Sequence, residues 1–281
     1  MAFGLVAPAS AEEAVRLLAD PDHQPSVALA GGTDLLFDLG GARPGPARVV
    51  SLRRLPWNAV RWEGSALAIG STAPLTALET DARVRPEIPG LWMAVRAVGG
   101  VPLRHRATVG GNLGRASAAS DLIPVLLALD ASADLFGPSG RRTVPVTELI
   151  RGPRSTSLHP AELIEAVRIP EARPSAYLWQ RVRPANDISQ VGVAAAWSPS
   201  RRRWSLAAGG VGPVPLRLTD VERSLHSDRP NDAEMRTAVE VAMHHPGLPS
   251  DKRASEEYRR KILGVLVRRA LERTVRERGA S

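Results

Sequence analysis

Two short stretches hold residues whose types and spacing suit one piece of chemistry. Ala28-Leu29-Ala30-Gly31-Gly32-Thr33-Asp34-Leu35 closes a short apolar run, and Ala107-Thr108-Val109-Gly110-Gly111-Asn112-Leu113 repeats the Gly-Gly pair between a hydroxyl and an amide. A main-chain N–H closes on a phosphate oxygen only where no Cβ stands in the way, and glycine also reaches positive φ without steric penalty. Thr33 and Thr108 add hydroxyl donors, and Asn112 adds an amide. Asp121, acceptor-only when ionised, suits ribose hydroxyls or an adenine amino group. Two such loops around one pyrophosphate point to a dinucleotide cofactor held by main chain rather than by lysine. Taken alone, a Gly-Gly pair is most often a turn. Neither stretch is a G-x-G-x-x-G or a G-x-x-x-x-G-K-[ST], so the Rossmann fingerprint and the P-loop are both missing.

The elements that must position these stretches follow from hydrophobic period and breakers. Residues 3–7 read as a strand, and Ser10 with Glu13 forms a capping box that opens a helix to about residue 18. Pro21 and Pro25 break it, and strand 26–30 runs straight into the first Gly-Gly. Residues 48–52 read as a strand, and 59–63 with 66–71 as a hairpin about Gly64-Ser65. Pro74 opens a helix, and another spans 88–98 and stops at Gly99-Gly100. The second Gly-Gly falls in a loop after 104–109. Residues 121–129 form an apolar helix with Pro124 in its first turn, where a missing N–H costs little. Strands follow at 131–136, 143–146 and 162–169, with 151–160 as a loop and 170–174 as a linker. Beyond it the texture changes. Residues 176–182, 188–197 and 204–211 read as an antiparallel meander, then helices at 219–226, 232–244 and 254–278. Ile262, Leu263, Leu266, Val267, Ala270 and Leu271 form one apolar face of the last. Two domains are expected, 1–173 and 174–281.

Composition bounds the function classes. At 281 residues and 43% hydrophobic the chain buries a proper core. It has no cysteine, so it supplies no disulfide, thiolate-bound zinc or iron–sulfur cluster. If electrons pass through it, another centre must sit on a different polypeptide. The net charge of +8 rests almost wholly on arginine, since Lys252 and Lys261 are the only lysines. The densest cluster, Arg201-Arg202-Arg203-Trp204, lies in a hairpin turn, where a solvated turn or a partner contact is expected rather than nucleic acid. His244-His245 ends a helix and suits its dipole, not a metal. Trp57, Trp62, Trp92, Trp197 and Trp204 read as core or interface anchors. No apolar run approaches a membrane span, and no n-region with an h-region opens the chain, so the cytoplasm is the expected compartment.

Read together, residues 28–35 and the stretch from Arg104 through Gly110-Gly111-Asn112 and Asp121 to Pro124 resemble the flavoprotein (medium) subunits of molybdenum hydroxylases, the family of carbon monoxide dehydrogenase and bacterial xanthine dehydrogenase. Ile69-Gly70-Ser71-Thr72 resembles that family's I-G-A-x-T segment. Leu206 to Pro215 resembles its G-G-V-A-P-x-P turn, and Arg253 to Arg259 its R-A-S-x-E-Y-R helix start. The matches span nearly the whole chain in order. The resemblance implies an α+β protein. It would have an FAD-binding domain of the p-cresol methylhydroxylase/vanillyl-alcohol oxidase type and a smaller C-terminal domain with a three-stranded antiparallel sheet and helices. It implies that Ala28, Leu29, Ala30, Gly31, Gly32, Thr33, Asp34 and Leu35 wrap the FAD pyrophosphate. Thr108, Val109, Gly110, Gly111 and Asn112 would complete the cradle. Asp121 would hold the adenosine end, Ile164 would lie against the cofactor, and Thr72 would join the set. The position of a frequent flavin-proximal lysine falls on Trp179, a departure for which Arg181 or Arg183 is a candidate substitute. Molybdopterin and [2Fe–2S] clusters are then expected on a large and a small partner subunit, with NAD+, oxygen or another acceptor taking the electrons. No catalytic acid or base and no metal ligand is expected here. A flavin-free scaffold subunit and a stand-alone FAD oxidoreductase are the alternatives.

Overall fold

A computed structural model describes residues 3–41, 45–184 and 186–279. The chain begins with a small parallel sheet in which Arg48–Ser51 lies between Gly4–Val6 and Ser26–Leu29. Parallel strands need crossovers, and helix Ala11–Ala19 carries the chain from one edge strand, Gly4–Val6, to the other, Ser26–Leu29. The Ser10 hydroxyl accepts from the Glu13 N–H, but the Glu13 carboxylate reaches the N–H of Ala9, so the expected capping box closes one residue early. Ala14 and Val15 of this helix pack with Leu52, Leu55 and Trp57 in a core of their own. Strand Ser26–Leu29 therefore releases Ala30-Gly31-Gly32 at the carboxyl edge of a parallel sheet, where crevices for ligands form.

A five-stranded antiparallel sheet follows, in the order Val60–Glu63, Ala66–Gly70, Leu163–Ile169, Ser132–Gly137, Gly140–Pro145. Leu67, Ile69, Ala133, Leu135, Val167 and Ile169 point to one face and bury against helices Leu75–Thr80, Pro89–Ala97 and Leu122–Ala128. The other face carries ion pairs such as Arg168–Asp134 at 2.5 Å and Arg141–Glu165 at 2.8 Å. Two local expectations change. Residues 151–160 are not all loop, because Ile150–Gly152 and Ser155–Thr156 pair as a short hairpin. The second Gly-Gly is not in a loop either. It occupies the first turn of helix Val109–Arg115, which Thr108 caps. Glycine's poor helix propensity hid that helix.

The meander Ser175–Gln180, Val191–Ser198, Arg203–Gly209 gains a fourth strand, Leu216–Arg217, beyond the three expected. Strand Val191–Ser198 is buried at all eight positions. Its Ala194 and Ala196 face the main core with Tyr177 and Ala207. Val191, Val193, Ala195 and Trp197 face a second core under helices Asp232–Met243 and Glu256–Gly279. An antiparallel sheet usually leaves one face wet. This one is covered on both, which explains why its sequence runs apolar instead of alternating. The small alanine side chains allow helices Pro89–Ala97 and Leu122–Ala128 to close on its near face.

Polar contacts lock the same junction. The carboxylate of Asp130 accepts from Arg173, Arg201, Arg203 and Arg217 at 2.7 to 3.3 Å. Burial alone would raise its pKa, but hydrogen bonds from Arg217 and Arg173 outweigh it and hold the group below the usual carboxylate range. The 253–259 motif has a structural role. Buried Arg259 donates to the carbonyls of Gly210 and Gln190 and pairs with Asp251. The Gly210 N–H in turn donates to the carbonyl of Ala118.

Candidate functional site: a cleft between three segments

One cleft of about 610 Å³ collects the first motif in full, from Ala28 to Leu35, with Thr108, Gly110, Gly111, Asn112, Asp121 and Ile164. That volume lies within the range of about 300–1,000 Å³ usual for small-molecule and cofactor sites. The two motifs meet because glycine lets them. A Cβ on Gly31 would stand 1.9 Å from the carbonyl oxygen of Arg106, and one on Gly110 would stand 2.5 Å from Cβ of Ser71. Gly32 sits at φ +81°, in the left-handed region. The glycines thus serve first to seat backbone on backbone, and the open cradle is the consequence.

The donors are unevenly shared. The N–H groups of Gly31, Gly32, Thr33, Asp34 and Leu35 find no acceptor among the described residues. In the second motif Gly110 N–H donates to the Ser71 carbonyl and Gly111 N–H to Thr108 Oγ1, at 3.1 and 3.0 Å. That stretch therefore offers side chains. Thr108 Oγ1, already an acceptor, keeps its proton to donate, and Asn112 Oδ1 accepts from Ser120 at 2.6 Å, which leaves the Asn112 amide N–H groups for the cleft.

Among the described residues the lining carries four acids and one arginine, and every acid has an arginine partner. Asp34 faces Arg115 at 3.4 Å, Asp121 faces Arg181 at 2.8 Å, Glu162 faces Arg142 at 2.7 Å and Asp187 faces Arg183 at 3.4 Å. Burial would raise Glu162, but the Arg142 and His159 hydrogen bonds hold it low. Arg115 is itself bound to Asp38 at 2.5 Å, which raises its pKa. No lysine lines the cleft. An anionic group placed there meets unpaired backbone N–H groups, a hydroxyl and an amide.

Three expected residues lie elsewhere. Val109 is fully buried in the main core, and Thr72 Oγ1 is buried without a hydrogen-bond partner behind the lining. Trp179 is half-buried, stacks on Tyr177 at 5.7 Å and carries the Arg181 guanidinium 5.2 Å from its ring centroid, outside the lining. Arg181, one of the two candidate cations, is the partner of Asp121, and Arg183 is an exposed partner of Asp187. Asp121 lines the cleft with both oxygens already engaged, by Tyr177, Ser189 and Arg181. Sequence reasoning missed Ser71, Leu103, Glu162, Asp187 and Ile188, which also line it. They come from four separate places in the chain, and only Ser71 falls inside a stretch that the resemblance had marked.

Comparison with known proteins fits this geometry. The FAD binding domain in molybdopterin dehydrogenase matches residues 1–172, and the CO dehydrogenase flavoprotein C-terminal domain matches residues 176–274. The glyceraldehyde dehydrogenase medium chain of Sulfolobus acidocaldarius is 28% identical over 96% of this chain and 97% of its own length. The nicotine 6-hydroxylase medium subunit of Paenarthrobacter nicotinovorans is 30% identical over 96% of each. The solved structure of reconstituted CO dehydrogenase from Oligotropha carboxidovorans superimposes with a TM-score of 0.91 at 26% identity, covering 99% of both chains. The chain belongs to the family of FAD-binding flavoprotein subunits of molybdopterin dehydrogenases. It is an FAD-dependent oxidoreductase subunit of the α+β class expected.

The residues present fit FAD. Glycine lets the two motifs meet, the free donors they leave suit a diphosphate, and one cleft holds both motifs and Ile164.

Proposed function

We propose that this chain is the FAD-carrying electron-transfer subunit of a multi-subunit molybdenum hydroxylase. It accepts electrons from [2Fe–2S] clusters of a partner subunit and passes them to NAD+, oxygen or another acceptor. Substrate oxidation belongs to a molybdopterin-binding large subunit. The observation that carries the reading is the run of five unpaired N–H groups from Gly31 to Leu35 beside Thr108 and Asn112 in one cleft. When bound, FAD supplies the exchange between one-electron and two-electron carriers. This chain's own part is to bind and orient. The 31–35 N–H groups and the Thr108 hydroxyl hold the diphosphate, the Asn112 amide holds phosphate or ribose, and the apolar wall with Ile164 keeps water from the ring. The lack of cysteine fits the division of labour. We read residues 1–173 as the cofactor domain and 174–281 as a second domain whose 187–188 segment closes the cleft. No helix among the described residues is long and apolar enough to cross a membrane, and we place the complex in the cytoplasm.

The test is reconstitution. Purified chain incubated with FAD and desalted should retain the yellow absorbance of an oxidised flavin. Because FAD binds only the native state, ligand at a hundred times its Kd should stabilise the chain by about 2.7 kcal/mol. A colourless protein whose unfolding midpoint ignores FAD sinks the proposal.

A further inference from the structure

We propose that Tyr177, Arg181 and Ser189 are positioning residues for the cofactor cleft. Through the carboxylate of Asp121 they fasten Arg181 and residues 186–189 so that Asp187 and Ile188 form one wall. The proposal rests on reading that cleft as the FAD site.

Asp121 ends the 117–121 loop and leads into helix Leu122–Ala128, whereas its three donors lie on and after the first strand of the meander. Tyr177 Oη and Ser189 Oγ donate to Oδ1 at 2.7 and 2.6 Å, and Arg181 Nη2 donates to Oδ2 at 2.8 Å. Arg181 Nε also donates to Ser189 Oγ at 3.1 Å, which aims that hydroxyl at the carboxylate. Tyr177, Ser189 and Asp121 are buried, and the Arg181 side chain is only 6% exposed. The order of the donors is set by the strand. Tyr177, Trp179 and Arg181 fall at i, i+2 and i+4 and share one face. Trp179 fills the space between them, stacked on the phenol and under the guanidinium.

The cluster controls two parts of the wall. Arg181 Nη2 donates to the carbonyl of Ala97 at 2.6 Å, next to Val98 and Gly99 of the lining, and Ser189 follows Asp187 and Ile188 directly. A carboxylate this buried is costly unless it is paired and hydrogen-bonded. Arg181 and residues 186–189 are therefore held down by the cost of leaving. Three donors on two oxygens also leave Asp121 little acceptor capacity for a ligand. Its effect on the cofactor passes through the wall, whose ordering is complete before binding.

Neither Tyr177 nor Ser189 lines the cleft, so Tyr177→Phe and Ser189→Ala in the full chain separate positioning from contact. FAD affinity is read by titration of flavin fluorescence, and wall order by hydrogen exchange at residues 186–189. Each variant is expected to weaken FAD binding about 3- to 10-fold and to speed exchange at 186–189. Ser189→Ala should add nothing further in an Asp121→Asn background. A purely structural role would lower the unfolding midpoint and leave Kd unmoved. If both single variants keep wild-type affinity while Asp121→Asn weakens it, Asp121 is a direct ligand and the positioning role is overturned. If wild-type chain takes up no FAD at all, the cofactor reading falls, and the proposal with it.

Discussion

Gly31 and Gly114 both line the cleft, yet a methyl group has opposite consequences at the two. At Gly31 it would meet the Arg106 carbonyl at 1.9 Å, whereas at Gly114 nothing lies within 4 Å. Gly31→Ala should therefore push apart the two loops that form the cradle. We expect it to lower stability by about 1–3 kcal/mol and FAD affinity at least tenfold, while Gly114→Ala changes neither by more than a factor of two. Urea unfolding and FAD titration of the pair check this, and equal affinity in both variants would refute the packing role of Gly31. The same contacts explain what was legible at this scale. That Gly31-Gly32 and Gly110-Gly111 line one cleft was expected from their residue types together with the family resemblance. The reason could not be read there, because it depends on the neighbours at Arg106 and Ser71.

Among the elements, helix Asp232–Met243 gives the cleanest pH dependence. Asn231 Oδ1 accepts from the N–H groups of Ala233 and Glu234, and the Glu234 carboxylate returns to the N–H of Asn231, His226 and Ser227 and to the Ser227 hydroxyl. The Ser227 hydroxyl leads in holding its pKa down to about 2, against an ordinary 4.5. The folded value is depressed, so the stabilisation is complete above the unfolded pKa. It is lost as pH falls from about 4.5 towards 2. Denaturant unfolding at successive pH values should show this loss in the wild type and a flatter profile in Glu234→Gln over the same window. Asn231→Ala should cost about 1 kcal/mol at neutral pH. The helix itself was legible at 232–244, although its Asn-x-x-Glu cap was not singled out. Helix Val109–Arg115, by contrast, was not legible. Its first turn is Val-Gly-Gly, and it exists because Thr108 caps it and Ser71 receives the Gly110 N–H.

Across the whole molecule, the two halves are joined by a sheet buried on both faces and by Asp130 under four arginines. Arg173 is 1% exposed at its side chain and, if Asp130 loses its charge, keeps the Ala128 carbonyl at 2.9 Å but has Glu171, at 3.7 Å, as its remaining carboxylate among the described residues. Asp130→Asn should then cost about 3 kcal/mol, since it leaves a buried guanidinium undercompensated. Asp130 does not line the cleft. FAD affinity measured well below the unfolding midpoint should therefore stay within twofold of wild type. A loss of affinity as large as the loss of stability would mean that the junction and the cleft move together. The apolar meander was visible in the residue types, but its double burial was not. That needed helices Pro89–Ala97 and Leu122–Ala128, far upstream, to cover its alanine face.

Residue type and period alone marked most of the strands and helices, the lack of any cysteine to hold a cluster, and the two Gly-Gly motifs, which resemblance to the flavoprotein subunits joined into one proposed cofactor site. These are local or compositional properties, written in glycine's missing Cβ, in apolar spacing and in a count of thiols. Tertiary structure decided which of those residues face the cleft. It turned Val109 and Thr72 away, set Trp179 against Tyr177, and gave Asp121 to three donors from the meander. Facing is a property of side chains brought together from distant segments, and burial makes each buried charge answer first to its partner across the junction.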